Sequence, residues 1–179
     1  ISKYKHILTE YNKSKNYIDN LYIDSQSLIY DAVMSNIVKT CLPHLIEQAI
    51  IDEVIVKLGF YINEIGPKKK VFIAFDGVAP VAKMHQQRSR RYKGENEKKI
   101  FKQLGIPKPE SWNTTALTPG TVFMKSLNDG IKRAFAKPDK YNVGEIIISA
   151  SDIPGEGEHK IFEYIRNNSP YHKNTTTAI

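Results

Sequence analysis

VFIAFDG, residues 71–77, is the stretch that decides the fold. Its first five residues, Val71 to Phe75, are apolar without interruption. That is the composition of a strand buried on both faces, and such strands belong to parallel sheets with helices packed on each side. Asp76-Gly77 ends the run. LYID at residues 21–24 reads as a short strand and EIIIS at residues 145–149 as a third buried strand. Strands that alternate with helical segments specify an α/β domain, a parallel sheet with helices on both faces.

The segments on either side supply those helices. Leu28, Ile29, Ala32, Val33 and Ile37 recur at helical spacing after Ser25 to Ser27. Pro43 punctuates, and a second helix is expected through Leu45, Ile46, Ala49, Ile50, Val54, Leu58, Tyr61 and Ile62, ending at Gly66-Pro67. Upstream, Tyr4, Ile7, Leu8 and Tyr11 predict a short helix. Beyond Asp76, a long basic helix is expected from Val81 to about Leu104, followed by the Pro-containing loop IPKPESWNTTA, residues 106–116. Thr118-Pro119 reads as an N-cap with Pro in the first turn, and Phe123, Met124, Leu127, Ile131 and Phe135 as the inner face of the helix that follows. Pro154-Gly155 turns the chain into a last helix with Ile161, Phe162 and Ile165 inward. No internal repeat, glycine-rich phosphate loop or low-complexity linker interrupts residues 1–179, so a single domain is expected.

In parallel α/β sheets, sites gather beyond the carboxyl ends of the strands. This sequence puts acids there each time: Asp24 closes the first strand, Asp76 follows the second, and Glu156 and Glu158 lie after the third. An acid in any one of these places could equally cap a helix, but coincidence at three strand ends argues for a shared task. Such carboxylates repel each other unless a cation sits between them, and hard oxygen ligands suit Mg²⁺ or Mn²⁺. The chemistry implied is metal-assisted phosphodiester cleavage by two ions roughly 4 Å apart. Glu156 and Glu158 can both face such a pair only if Glu156 lies in the turn and Glu158 in the first turn of the helix, because residues two apart on a helix point to opposite sides.

The basic helix adds a second pattern. Lys83, Gln87, Arg90 and Arg91 fall at i, i+4, i+7 and i+8, one stripe of donors suited to a terminal phosphate. Ala82 and Met84 interleave, so this is not a uniformly charged surface. Arg88, Lys93, Lys98, Lys99 and Lys102 read instead as solvated or backbone-steering charge. Lys68-Lys69-Lys70 reads as strand-entry charge. Tyr30, one turn into the first helix, is a candidate for stacking a base, although a packed tyrosine is the commoner role. His6, His44 and His172 show no ligand spacing, and His159 is expected to orient the acidic turn.

Composition bounds the partner. Lys and Arg total 26 against 19 Asp and Glu, a formal charge of +7 with pI near 9.3, which favours a polyanion, nucleic acid first. The single cysteine, Cys41, excludes an intramolecular disulfide, fits a reducing compartment and reads as a buried structural thiol. No apolar run reaches the ~18 residues of a membrane span, and ISKYKHILTEY lacks a signal peptide's apolar core. An intracellular protein is expected, in the cytoplasm rather than the nucleus.

DGVAPVAKMHQQRSRRYKG, Asp76 to Gly94, and PGEGEHKIFEYIR, Pro154 to Arg166, resemble the signature blocks of Xrn-type 5′→3′ exoribonucleases. LYIDSQSLIYD around Asp24 and LTPGTVFMKSL, Leu117 to Leu127, fit the same order, so the likeness covers nearly the whole chain. The resemblance implies a fold akin to the PIN and flap-endonuclease group. It also implies processive removal of nucleotides from single-stranded RNA bearing a 5′-monophosphate, in RNA decay or processing. Carried over by position, Asp24, Asp76, Glu156 and Glu158 would be catalytic metal-site acids, and Lys83, Gln87, Arg90 and Arg91 the 5′-phosphate pocket.

The sequence departs from the family pattern in several places. Gln26 and Tyr30 stand where members usually have Asn and His, and Val81 and His85 replace a common Arg and Asn. The family's opening Met-Gly is absent. A further aspartate pair expected downstream of Glu158 has no counterpart before Ile179. The expectation is therefore an N-terminal nuclease segment truncated at both ends, weakly active or inactive alone. Two alternatives stay open: a flap-type structure-specific endonuclease acting on DNA, and a non-catalytic binder of RNA 5′-phosphates.

Overall fold

A computed structural model describes residues 12, 17–106 and 112–179. The helix expected over Tyr4 to Tyr11 and part of the loop at 106–116 lie outside the described residues.

Three strands form where the apolar runs predict them: β1 (Asn20–Asp24), β2 (Lys70–Ala74) and β3 (Glu145–Ser149). All pair in parallel, with Asp24 opposite Ala74 and Ala74 opposite Ser149, so the three strands end level. A short strand that the sequence did not suggest, β4 (Thr177–Ala178), pairs in parallel with the start of β1 and completes the order β3-β2-β1-β4. At two residues it is too short for an apolar run to mark it, although threonine favours extended backbone. It is held by contacts from elsewhere: Asn20 donates its side-chain amide to Thr175 and Thr177, and Tyr171 donates to Asn20.

Between the strands run α1 (Gln26–Val33), α2 (Asn36–Lys39), α3 (Ile46–Ile65), α4 (Val81–Gln103), α5 (Val122–Ala134), α6 (Gly157–Asn167) and α7 (Ser169–His172). The alternating side chains of the strands sort into two layers. Leu21, Val71, Ile73 and Phe75 face a large core shared with Ile29, Ile50, Val54, Leu58, Met124, Leu127 and Ile131 from α1, α3 and α5. Tyr22, Phe72 and Ala74 face the opposite side, against Ile161 of α6 and its neighbours Tyr164 and Ile165. Helices therefore cover both faces, as the continuous apolar strands require. Each fully buried Ile or Leu contributes about 1.5–3 kcal/mol. The polar rim of the smaller layer is satisfied too: the Tyr22 hydroxyl and the His172 ring are 2.8 Å apart, and the other ring nitrogen lies 2.8 Å from the Asn168 carbonyl.

Several local expectations are corrected. The first helix stops at Val33 and Asn36–Lys39 is a separate turn, so Leu28 to Ile37 is not one helix. The segment Pro43–Leu45 is 3₁₀ and leads into α3 at Ile46. Thr118 does not cap α5. It closes a 3₁₀ turn at Thr114–Leu117, Gly120 follows at φ +91°, and Thr121 is the residue whose hydroxyl accepts from the Met124 amide. The positive φ of Gly120 breaks the continuity that Thr118-Pro119 needs in order to start the helix. Phe162 is half exposed rather than inward. It follows Ile161 by one position, about 100° around the helix, and Ile161 already faces the sheet. Cys41 is partly exposed. Among the described residues, no helix is long and apolar enough to cross a membrane.

Candidate functional site

The level carboxyl ends of β1, β2 and β3 set the floor of the site. Asp24 is the last residue of β1, and Asp76 lies just beyond β2. After β3 the chain runs through Ser151 and Pro154 to Glu156, the extended N-cap of α6, and Glu158 lies in the first turn of that helix. The turn-then-helix arrangement inferred from the Glu156-Gly157-Glu158 spacing is the one observed.

Gly157 is the point where these elements meet. Its backbone N–H donates to Asp76 Oδ1 at 2.8 Å. A β-carbon on Gly157 would come within 2.4 Å of Asp24 Oδ1, so only the missing side chain lets the start of α6 sit against that carboxylate. The loop after β2 is clasped in the same way: Gly77 N–H donates to the Gly155 carbonyl at 2.8 Å and Gly155 N–H to the Val78 carbonyl at 3.1 Å. A β-carbon on Gly77 would overlap the Ile153 carbonyl at 1.9 Å. Gly155 takes φ +101°, a conformation that glycine alone adopts readily. The PGEG stretch is thus a backbone clamp that carries Asp76 and Glu156 into one neighbourhood.

Beneath the clamp lies Lys160, which sequence reasoning missed. Its ammonium is buried and donates to the Phe75 carbonyl at 2.7 Å and the Ala150 carbonyl at 2.9 Å, tying the ends of β2 and β3 together. Burial holds its pKa below the usual lysine range, partly offset by the charges of Asp76 and Asp152. A lone lysine on an amphipathic helix carries no signal of such a role.

The electrostatics are those of crowded acids. The Asp24 carboxyl is pushed above the usual carboxylate range, first by partial burial and then by the charges of Asp76 and Glu158, against a backbone hydrogen bond from Gln26 at 3.3 Å. Lys83 of α4 answers this charge. Its ammonium donates to Glu156 Oε2, and its pKa is raised by that bond and by the charges of Glu156, Asp76 and Glu158. His159 comes within 3.9 Å of Glu158, with both side chains exposed.

Lys83 also opens onto a cavity of about 300 Å³. Its lining brings together residues from four places in the sequence: Gln26 and Tyr30 of α1, Asp76 and Gly77 after β2, Lys83 and Gln87 of α4, and Leu117, Thr118 and Pro119. Lys83, Gln87, Tyr30 and Asp76 were all singled out from sequence. Gln26 was noted there only as a departure, and Thr118-Pro119 only as a helix start. Arg90 and Arg91 lie on α4 further from the cavity mouth in sequence, and their side chains are outside the described set.

The chemistry of the donor set fits a hard divalent cation. Asp24 is raised first by burial and then by the charges of Asp76 and Glu158, and a cation beside it would offset both. Among the described residues, however, no three acid, imidazole or thiol groups are gathered into a ready ligand set, and Glu156 is engaged by Lys83.

The family model described as "XRN 5'-3' exonuclease N-terminus" matches residues 1–179. A protein of Saccharomyces cerevisiae named "5'-3' exoribonuclease 1" is 36% identical over 159 residues, 83% of this chain and 10% of the relative. "5'-3' exoribonuclease 2" of Schizosaccharomyces pombe is 38% identical over 178 residues, 83% of this chain and 17% of the relative. The protein of that name from Cryptococcus neoformans is 35% identical over 175 residues, 86% of this chain and 15% of the relative. The chain spans less than a fifth of the length of these relatives. With a parallel α/β sheet and a match along its whole length, the chain belongs to the XRN 5′-3′ exonuclease N-terminus family.

Proposed function

We propose that this chain provides the acidic centre and the 5′-end pocket of a metal-dependent 5′→3′ exoribonuclease that degrades single-stranded RNA carrying a 5′-monophosphate, in RNA decay or processing. The observation that carries this reading is the shared cavity. Lys83 and Gln87, phosphate-binding groups by type, line the same space as Asp76, and Lys83 is bonded to Glu156. A terminal phosphate held there lies beside the acids, which sets the first phosphodiester near them without a search.

The residues divide the work by chemistry. Lys83 supplies charge and Gln87 a hydrogen bond to the terminal phosphate, and Arg90 and Arg91 extend the same stripe of α4. The exposed ring of Tyr30, on the cavity wall, offers a face for the first base. Asp24, Asp76, Glu156 and Glu158 would hold Mg²⁺ or Mn²⁺, two ions in this reading, which when bound supply an activated water and stabilise the leaving oxygen. Gly157 and Lys160 hold the acids in place. A pocket of this size, closed by Leu117 to Pro119, favours a bare phosphate over a bulkier 5′ end.

Binding of RNA with 5′-monophosphate or 5′-hydroxyl ends, with Lys83→Met and Gln87→Leu beside the parent chain, tests the pocket. Each variant should lose roughly tenfold or more of the preference for the phosphate. A preference unchanged in both would remove the basis of the reading. A second reading, a non-catalytic binder of RNA 5′-phosphates, is favoured by the absence of a ready ligand set among the described residues. Phosphate-selective binding with no metal-dependent turnover would select it. Preferential cleavage of flap DNA would instead point to a structure-specific endonuclease.

A further inference from the structure

One cation serves two places in the site. The Lys83 ammonium donates to Glu156 Oε2, and the same side chain lines the cavity of about 300 Å³ beside Gln87 and Asp76. The Lys83 side chain is 35% exposed and that of Glu156 12%, so a ligand in the cavity reaches the lysine more readily than the acid. Glu156 precedes α6 without capping it through its side chain, which leaves the carboxylate to this pair. The backbone here is pinned by the next residue, whose N–H donates to Asp76 Oδ1 at 2.8 Å. What can change at Glu156 is therefore its side-chain partner.

Two ions compete for the two halves of the pair. A phosphate in the cavity draws on the ammonium, because a charged oxygen is a strong acceptor for it. A divalent cation among the acids draws on the carboxylate. We propose that Lys83 is a specificity residue shared between Glu156 and the 5′-phosphate, so that phosphate binding frees Glu156 and raises the affinity of the acids for a divalent cation. The inference rests on the reading of the cavity as a 5′-end pocket. By linkage the coupling is reciprocal, and a cation on Glu156 raises the affinity for phosphate by the same factor. A 5′-hydroxyl end carries no charge to draw Lys83 away and leaves Glu156 paired. Selection of the 5′ end is thereby exercised at the acidic centre as well as in the pocket.

The test is fluorescence anisotropy in chelator, which reads binding without turnover, with 3′-fluorescein single-stranded RNA bearing a 5′-monophosphate or a 5′-hydroxyl. Glu156→Gln, which releases Lys83, should bind the phosphate probe roughly threefold or more tighter than the parent chain and the hydroxyl probe within about twofold of it. Lys83→Met should abolish that gain when combined with Glu156→Gln. Glu158→Gln removes the same charge from a residue that acts on Lys83 through its field alone, and should change both probes by less than about twofold. In a second arm without RNA, Mn²⁺ binding is read by electron paramagnetic resonance of the free ion. Lys83→Met should tighten it roughly threefold or more in the parent background and much less in Glu156→Gln.

A phosphate affinity unchanged in Glu156→Gln, with the parent still preferring phosphate over hydroxyl, overturns the inference and leaves the pocket standing. So does an equal gain in Glu158→Gln, which would reduce the effect to net charge. A Mn²⁺ affinity that Lys83→Met leaves unchanged, or tightens equally with and without Glu156, overturns it too. If the parent chain shows no preference for 5′-phosphate, the pocket reading fails and the inference fails with it.

Discussion

The Gly157 amide donates to the Asp76 carboxylate at 2.8 Å while the α-carbon of the same residue faces the Asp24 carboxylate so closely that a β-carbon would stand 2.4 Å from Oδ1. One glycine thus sets the spacing of acids that come from different strands. Gly157→Ala tests whether that spacing matters. Its backbone is helical, where alanine is favoured over glycine by about 1 kcal/mol, so the thermal stability of the variant should change little. Asp24 must move, and a displacement of about 1 Å at a reacting centre can cost roughly 100-fold in rate. Melting temperature and RNA degradation measured side by side should separate, the first preserved and the second lost.

Asp24 should weaken the fold that it serves. Its folded pKa lies above the unfolded value of 3.8, so the folded chain binds more protons in the window just above that value. Stability from this group is therefore present at low pH and declines as pH rises through the folded value. At neutral pH without divalent ions, Asp24→Asn should melt slightly higher than the parent, by at most about 2 °C since the carboxyl is solvent-reachable. Added Mg²⁺ should raise the melting temperature of the parent by mass action and that of Asp24→Asn less. Calorimetry across pH 4–8 and with Mg²⁺ checks both signs.

Lys160 is the opposite case, a charge that holds the structure together from beneath. Lys160→Met leaves the Phe75 carbonyl without its partner and removes one of two bonds to Ala150. The cost should be about 1–3 kcal/mol, or roughly 3–8 °C in melting temperature. Because burial lowers its folded pKa below the unfolded 10.5, this group makes the parent more stable as pH rises through the window below 10.5. That slope should be absent in the variant, and urea titrations at pH 8 and 10 would reveal it.

What the sequence makes legible here follows from how local the cause is. The strand at 71–75 is a continuous apolar run, the one at 145–149 centres on Ile146 to Ile148 and is half-buried at the sheet edge rather than fully buried, and the inner face of α5, Phe123 to Phe135, is a clean helical stripe. Each is determined by its own residues and is found in place to within one position. Glu156 in the turn and Glu158 in the helix follow from the geometry of residues two apart. The features that escaped depend on distant partners. β4 is a Thr-rich segment recruited by Asn20 and Tyr171, Thr118 yields the cap to Thr121 because of the turn at Gly120, and Lys160 acquires its role only when two strand ends meet above it.

The most direct measurement is degradation of single-stranded RNA with a 5′-monophosphate against its 5′-hydroxyl and 5′-triphosphate forms, with Mg²⁺ and with chelator, by the parent chain and Asp76→Ala. The account predicts weak degradation that requires Mg²⁺, prefers the monophosphate by roughly tenfold or more, and disappears in Asp76→Ala. Equal handling of the three 5′ ends, or undiminished degradation by Asp76→Ala, would contradict it.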